Sequence, residues 1–235
     1  MANDVSIVVP VYNERAILAG AVDRLVAALE AEPLNAEVLL AENGSTDGTR
    51  RAAAELAAAH ARVRVVTYDR PDYGRALRLG VEAATHDRIA ILSIDWIDLD
   101  FVWQATAMLD GYDLVLGSKR LASSSDRRPL LRRVGTAGFH VFEQLLFRLP
   151  VSDCHGIKAL RRDAVGPIIG KCRFGGIALD TELVTRAHAA GLRICELPVS
   201  VAEVRPARTG IARRAAQALR EMTALRLALW REGLP

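Results

Sequence analysis

The sequence predicts an α/β fold in which a mixed, mostly parallel sheet is flanked by helices. Its short apolar runs lack polar alternation, which is typical of strands buried on both faces. These runs alternate with helical patterns four times in about the first hundred residues, which favours right-handed βαβ units. Parallel sheets carry their chemistry beyond the carboxyl ends of their strands, so we look for functional residues there.

The first half of the chain contains four predicted strands. They are Val5–Val11, Glu37–Ala41, Val63–Tyr68 and Arg88–Ile94. Asn13 is a natural cap for the helix that follows the first strand. Glycines and cap-forming residues make 42–49 a tight turn into a helix over Arg50–Ala61, and Gly74 opens the next helix.

The second half predicts shorter strands and longer amphipathic helices. The strands are Asp113–Gly117, Gly156–Leu160 and Arg193–Pro198, and we expect the last to be antiparallel at a sheet edge. One amphipathic helix contains Val134, Phe139, Phe142, Leu145 and Leu146, and another helix covers Asp180–Ala190. A terminal helix carries a stripe of Ile211, Ala215, Ala218, Met222, Leu225 and Leu229. This stripe fits packing on the sheet, a homodimer, or a membrane surface.

Charge and cysteine content limit the class of protein. The net charge is +3, but 119–133 carries six basic residues against one acid, which suits phosphate groups or an anionic membrane surface. Aromatic residues are not interleaved with the basic ones, so we expect no nucleic-acid partner. Three cysteines without a CxxC pair indicate a reducing compartment and argue against a disulfide framework or a zinc site.

Targeting signals are not recognisable in this sequence. No basic segment precedes the first apolar run, and no run approaches the roughly 20 residues of a membrane span. We therefore expect a cytoplasmic protein that can lie peripherally at the inner face of the membrane.

Three carboxylates follow the fourth predicted strand. Asp95, Asp98 and Asp100 offer the oxygen ligands that Mg²⁺ and Mn²⁺ prefer. The alternative is that Asp98 and Asp100 cap the next helix. No GxGxxG or GxxxxGK[ST] motif is present, which argues against a dehydrogenase or a P-loop protein.

Several segments together resemble family 2 glycosyltransferases of the GT-A fold. They are Val8–Glu14, Glu42–Thr49, Gly111–Arg120, Asp153–Arg161, Leu179–Leu183 and Gly191–Pro198. Within that family the chain is most similar to polyprenyl- and dolichyl-phosphate sugar (mannose or glucose) synthases. The resemblance implies an inverting transfer of a hexose from a GDP- or UDP-sugar to a lipid phosphate at the cytoplasmic membrane face. It also implies one domain over 1–205, with a donor half (1–117) and an acceptor half (118–205), followed by an amphipathic helix in 206–235.

The strand ends supply the candidate donor-binding residues. They are Pro10, Tyr12, Asn13, Glu14, Glu42, Gly44, Gly74, Arg75 and Asp95. Gly74 would let backbone approach the diphosphate and Arg75 would add charge, although a plain helix start is the alternative. Capping and turn chemistry would explain Asn13 well and Glu42 poorly.

The metal motif departs from the family pattern. Its Asp-x-Asp appears here as Ser93-Ile94-Asp95, so Asp95 is the first candidate ligand and Asp98 the second. Losing one carboxylate predicts that Mg²⁺ or Mn²⁺ is held less tightly. A non-catalytic nucleotide-sugar binder is the alternative function that this altered motif leaves open.

Asp180 and Asp95 are the candidate catalytic residues, and the candidate acceptor residues come from the second half. Asp180 and Glu182 would point to different faces of a helix, and we favour Asp180 at the helix start as the catalytic carboxylate. It could equally be the N-cap of Thr181–Ala190. A base is essential only if the acceptor is a hydroxyl. The candidate ligands of an acceptor phosphate are Lys119, Arg120, Arg132, Arg133 and Thr136, although such a basic run is commonly a solvated loop.

Overall fold

Strands and helices alternate along the chain in the computed structural model, which describes residues 4–31, 35–126, 130–201 and 211–234, without the side chains of 126, 131, 132 and 211–215. The elements of the first half are β1 (Val5–Val11), α1 (Arg15–Glu30), β2 (Ala36–Asn43), α2 (Thr49–Ala59), β3 (Val63–Tyr68), α3 (Tyr73–Ala83), β4 (Arg88–Ile91) and α4 (Leu99–Met108). Those of the second half are β5 (Leu114–Ser118), β6 (Ser125–Asp126), α5 (Leu130–Phe147), β7 (Lys158–Arg161), α6 (Arg162–Lys171), α7 (Gly176–Ala189), β8 (Ile194–Pro198), β9 (Ser200–Val201) and α8 (Ile211–Arg231).

The main sheet has seven strands in the order β3-β2-β1-β4-β7-β5-β8, and β6 pairs with β9 in a small separate sheet. Neighbours in the main sheet are parallel except around β7, which is antiparallel to both β4 and β5. The prediction of a mixed, mostly parallel sheet is confirmed.

The predicted direction of the last strand is wrong. β8 does lie at the sheet edge, but it is parallel to β5, and the antiparallel strand is β7 in the interior. The connection from β5 to β7 begins and ends at the same edge of the sheet, so β7 must run backwards. A short apolar run in the sequence does not show which way the strand runs in the sheet. The direction depends on the edge of the sheet at which the preceding connection ends.

Apolar side chains cover both faces of the sheet, as the unbroken apolar runs predict. Ile7 and Val9 of β1 lie in one cluster with residues of α1, α2 and α4. Val8 lies in the other cluster, with residues of α3, α6, α7 and α8. The strands that lead to the carboxyl edge are therefore packed from both faces of the sheet.

The terminal helix α8 packs on the domain. Met222, Leu225 and Leu229 are fully buried in the same cluster as α7, and Arg186 Nη1 of α7 donates to Glu232 Oε2 at 2.6 Å. Packing on the domain is therefore confirmed for the described part of this helix, while the side chains of the predicted stripe residues Ile211 and Ala215 lie outside the described residues. None of the helices within the described ranges is long and apolar enough to cross a membrane.

Candidate functional site

Two turns at the carboxyl edge of the sheet are bonded to each other through Asn13. Its side-chain oxygen accepts a hydrogen bond from the Thr46 amide at 2.8 Å, and its own amide donates to Ser45 Oγ at 3.0 Å. Asn13 has a φ of 54°, in the left-handed region that asparagine tolerates. The prediction that Asn13 caps the first helix is wrong, because Glu14 occupies the N-cap position of α1 without a side-chain capping bond.

Glu42 is fully buried and holds the turn after β2. Its two oxygens accept hydrogen bonds from the Ser45 amide (2.6 Å) and from Arg50 Nε (2.7 Å). Burial raises the pKa of this carboxyl, but these two donors outweigh burial and leave it below its ordinary value. Turn chemistry therefore explains Glu42 well, contrary to the sequence-based expectation. Gly44 has a φ of 68°, and a Cβ there would lie 2.7 Å from the carbonyl carbon of Arg70.

Close packing of α3 explains the glycine at its start. Asp72 caps the helix by accepting from the Arg75 amide at 2.9 Å. A Cβ on Gly74 would lie 2.8 Å from the carbonyl oxygen of Phe174. Contact with protein backbone is therefore one reason for glycine here, and the approach of a diphosphate to Gly74 stays a prediction. Arg75 is exposed at this edge, and so is Tyr12, at 38%.

The carboxylates after β4 have different roles. Ser93 Oγ donates to Asp95 Oδ1 at 2.5 Å in a turn closed by a bridge between Ser93 and Trp96. Asp98 accepts from the Phe101 amide at 2.9 Å and is the N-cap of α4, so the capping alternative is confirmed for Asp98. Asp95 and Asp100 are exposed, and Asp95 precedes the helix while Asp100 lies in its first turn.

Two neighbouring cavities meet at Trp96. The smaller, here called the central pocket, has a volume of about 170 Å³ and is lined by Pro10, Tyr73, Ile91, Leu92, Ser93, Trp96, Gly156, Ile157 and Asp180. The larger, here called the α1 cleft, has a volume of about 680 Å³ and lies between α1 and 94–100, including Asp95 and Asp98. The buried Trp96 Nε1 has no hydrogen-bond partner among the described residues, so it can donate to a bound ligand.

Asp180 faces the central pocket from within α7. The helix begins at Gly176, four residues before Asp180, so the predicted helix start and N-cap role at Asp180 are wrong. The segment before the helix is held instead by Glu182, whose Oε2 accepts from the amides of Arg173 (2.9 Å) and Phe174 (3.0 Å). Of the two acids, Asp180 lines the pocket and Glu182 is structural.

A buried lysine neutralises Asp180. Lys158 Nζ lies 2.8 Å from Asp180 Oδ1, and His155 Nδ1 lies 3.6 Å from Oδ2. Burial would raise the pKa of Asp180, but Lys158 and His155 hold it below its ordinary value. Burial, followed by the charge of Asp180, raises the pKa of Tyr73 to about 12. Sequence reasoning missed Lys158 and His155, although both lie in Asp153–Arg161, a segment that carries the family resemblance.

The basic candidates for an acceptor phosphate are not equivalent. Lys119 Nζ pairs with Asp153 Oδ2 at 2.8 Å, donates to the His155 carbonyl, and is nearly buried. Arg120 and Arg133 are exposed, and Thr136 is half-buried on α5. The side chain of Arg132 lies outside the described residues. The helix opens at Leu130, two residues before Arg132.

Comparison with known proteins identifies the class. Residues 6–166 match the family described as Glycosyl transferase family 2, and the sheet has the GT-A arrangement that its structural neighbours share. The chain belongs to glycosyl transferase family 2.

Two sequence relatives come from distant organisms. A glycosyltransferase of Mycobacterium tuberculosis that is described as uncharacterized is 37% identical over 85% of this chain and 86% of its own length. Glycosyltransferase AglD of Haloferax volcanii is 32% identical over 83% of this chain but only 32% of its own length.

Two solved structures share the fold. Glucosyl-3-phosphoglycerate synthase from Mycobacterium tuberculosis, in complex with Mn²⁺, UDP and glucosyl-3-phosphoglycerate, gives a TM-score of 0.68 at 22% identity, with 99% of this chain and 81% of that chain covered. A mannosyltransferase from Pyrobaculum calidifontis, in complex with GDP-Man and Mn²⁺, gives a TM-score of 0.64 at 23% identity, with 94% of this chain and 63% of that chain covered. At these identities the likeness shows the fold.

Proposed function

We propose that this family 2 glycosyltransferase moves a hexose, with inversion, from a GDP- or UDP-sugar to a lipid phosphate at the cytoplasmic membrane face. Three features support the proposal: a pocket at the carboxyl edge of the sheet, a weakly basic carboxylate inside it, and an exposed apolar stripe beside the basic residues. The third carries the lipid part of the proposal.

The donor sugar fits the central pocket. Pro10 and Ser93 approach it from the ends of β1 and β4, and Asp180 faces it from α7. Trp96 Nε1 is positioned to donate to the sugar or diphosphate, and Tyr12 is exposed nearby for the nucleoside. The solved neighbours with UDP or GDP-Man are in keeping with such a donor. A thermal-shift panel of UDP-, GDP- and dTDP-sugars tests this, since ligand at a hundredfold over Kd stabilises by about 2.7 kcal/mol.

A divalent ion fits the donor site through Asp95. Asp95 offers an exposed carboxylate, one oxygen of which accepts from Ser93, while Asp98 is half-buried and uses one oxygen to cap α4. Such a site suits Mg²⁺ or Mn²⁺ that completes its coordination with water and diphosphate. When bound, the ion would neutralise charge on the departing diphosphate. The Mn²⁺ in both solved neighbours is consistent with this assignment.

The charge state of Asp180 favours an acceptor that is already ionised. Lys158 at 2.8 Å stabilises the carboxylate, and a carboxylate of lowered pKa is a weak base. A hydroxyl acceptor would need Asp180 as a general base to remove its proton. An ionised phosphate oxygen attacks without the help of a general base. We therefore assign Asp180 to orienting Lys158 and the sugar, and keep the hydroxyl acceptor as the alternative that would make it the base.

An apolar stripe lies exposed along α5. Leu130, Val134, Val141 and Leu145 are 55–77% exposed, and their spacing places them within about 60° of one another around the helix. The residues of the predicted amphipathic face divide between two sides of the helix. Phe139, Phe142 and Leu146 pack against the core, whereas Val134 and Leu145 are exposed. An exposed stripe on the helix that carries Arg133 is suited to the interface of an anionic membrane.

Matched variants test this surface. Leu145→Glu and Val141→Glu should lower binding to vesicles of anionic lipid with polyprenyl phosphate, and lower transfer to that lipid. Tyr112→Glu is the control, because Tyr112 is also an exposed apolar side chain, at 38%, and lies at the opposite, amino-terminal end of β5. Unchanged vesicle binding in both α5 variants would contradict the membrane role. A change from dimer to monomer without loss of vesicle binding would assign the stripe to a homodimer instead.

A further inference from the structure

A second group of ligating side chains lies beside the central pocket. Glu143 of α5, Cys154 and His155 bring a carboxylate, a thiol and an imidazole within 4.8 Å of one another. Glu143 Oε1 lies 2.7 Å from His155 Nε2 and 3.8 Å from Cys154 Sγ. Glu143 and Cys154 are buried, and His155 is half-buried.

Polar atoms in this cluster lack partners in the protein. Glu143 Oε2 and His155 Nδ1 are both buried without a hydrogen bond among the described residues, although the Glu143 side chain is fully shielded from water. His140 Nδ1 lies 3.8 Å from Glu143 Oε2, which is too long for a hydrogen bond. A fully buried carboxylate oxygen without a hydrogen-bond donor is costly. A bound cation would provide the partner that Glu143 Oε2 lacks.

The donor set is that of zinc. Cysteine sulfur, histidine nitrogen and glutamate oxygen are its usual ligands, and bonds of about 2.0–2.3 Å place such atoms roughly 3.3–3.8 Å apart. Movements of less than about 1 Å would bring the three atoms to that spacing. Mg²⁺ and Mn²⁺ prefer all-oxygen sites, so a thiol here disfavours both.

We propose that Glu143, Cys154 and His155 form a binding site for Zn²⁺, separate from the divalent-ion position at Asp95. His155 coordinates through Nε2, and its Nδ1–H then faces Asp180 Oδ2, now 3.6 Å away, as the outer carboxylate that zinc-bound histidines commonly have. The thiol proton of Cys154 and the Nε2 proton that His155 shares with Glu143 both leave to solvent when the sulfur and Nε2 bind the ion.

Zinc would fasten α5 to the turn that forms one wall of the central pocket. Cys154 and His155 belong to the turn that also carries Gly156 of the pocket wall and Asp153, the partner of Lys119. The absence of a CxxC pair argues only against zinc sites whose cysteine ligands are close together in the sequence. Here Glu143 and the Cys154-His155 pair lie far enough apart that only the fold brings them together.

Binding is measured on the full chain after dialysis against a chelator. Zn²⁺ titrated against a chromophoric competitor should bind with one saturable site per chain, and Co²⁺ in its place should give a thiolate-to-cobalt absorption band. Cys154→Ser should abolish the band, and Cys172→Ser should leave it, because Cys172 is equally buried but lies at the end of α6. Asp95→Asn should leave zinc affinity unchanged.

Glu143→Gln keeps the side-chain shape and should weaken zinc binding at least tenfold, which provides a test if Cys154→Ser does not fold. Each variant is first checked for a metal-free thermal transition like that of the parent. The absence of a saturable zinc site, a cobalt band that survives Cys154→Ser, or an unchanged affinity in folded Glu143→Gln would overturn the proposal.

Discussion

Lys158 Nζ and Asp180 Oδ1 lie 2.8 Å apart, and the lysine side chain is only 1% exposed. The pair joins β7 to α7 across the wall of the central pocket. Its Lys158 also donates to the Gly156 carbonyl at 2.9 Å, so the ammonium is well satisfied. Removing one member of such a buried pair costs more than the pair contributes, because the other charge is left unpaired.

Lys158→Met should therefore lower the free energy of unfolding by about 3–5 kcal/mol at neutral pH. The double variant Lys158→Met/Asp180→Leu should recover most of this loss, because it removes the stranded carboxylate. Urea unfolding measures both, with the exposed Lys171→Met as control. Equal losses in Lys158→Met and Lys171→Met would contradict the paired arrangement.

Acid should destabilise the protein through Glu37. This carboxylate accepts hydrogen bonds from Ser6, Thr85 and Arg64, which outweigh burial and lower its pKa from 4.5 to about 2. Because the folded pKa lies below the unfolded one, its stabilisation is complete above about pH 4.5 and is lost as the pH falls through 2.

Glu37→Gln should flatten the dependence of unfolding free energy on pH between 4.5 and 2, as measured by urea unfolding at several pH values. The exposed acid Glu55 provides the control variant Glu55→Gln, which should keep the slope of the parent. A slope that is the same in all three proteins would show that Glu37 is not responsible.

Trp96→Phe should weaken donor binding about 2- to 10-fold, since it removes an indole N–H but keeps an aromatic ring in the pocket. Calorimetric titration of the donor is the measurement. Trp230→Phe on the exposed face of α8 is the matched control and should bind donor normally. If both variants bind like the parent, Trp96 does not contact the donor.

Asp95→Asn should raise the Mg²⁺ or Mn²⁺ concentration for half-maximal transfer at least about tenfold, as loss of a charged ligand implies. Asp98→Asn should have a smaller effect, because asparagine caps α4 equally well. Initial rates over a metal titration distinguish the two. Full activity of Asp95→Asn in excess EDTA would point to charge neutralisation by Arg75 and Lys119 alone.

Strands were the most predictable part of the structure. β1 and β3 have the predicted bounds, because both are rich in β-branched residues and are followed by turn residues. The start of α7 was not predictable in the same way. Aspartate is a common helix cap, but the helix that contains Asp180 begins at Gly176 with Gly175 as its N-cap. The segment before the helix is held by Glu182, which accepts from the Phe174 amide.

Side-chain roles in the site depended on partners that spacing does not reveal. The sequence suggests that Glu42 binds the nucleotide-sugar donor, whereas in the structure Arg50 Nε donates to one of its oxygens. Lys158 lies in a recognisable motif, yet its importance comes from Asp180, which only the pairing of β7 with its neighbours brings close. Residue types at strand ends were therefore informative about where the site lies, and less so about what each residue does.

The proposed reaction is tested most directly by following labelled sugar from the nucleotide donor to a panel of acceptors in parallel with donor binding. The panel holds polyprenyl phosphate, polyprenol and 3-phosphoglycerate, each with divalent metal. We predict transfer to polyprenyl phosphate and little to the neutral alcohol. Transfer only to hydroxyl acceptors would make Asp180 the base, transfer to 3-phosphoglycerate alone would exclude the lipid, and donor binding without any turnover would contradict catalysis altogether.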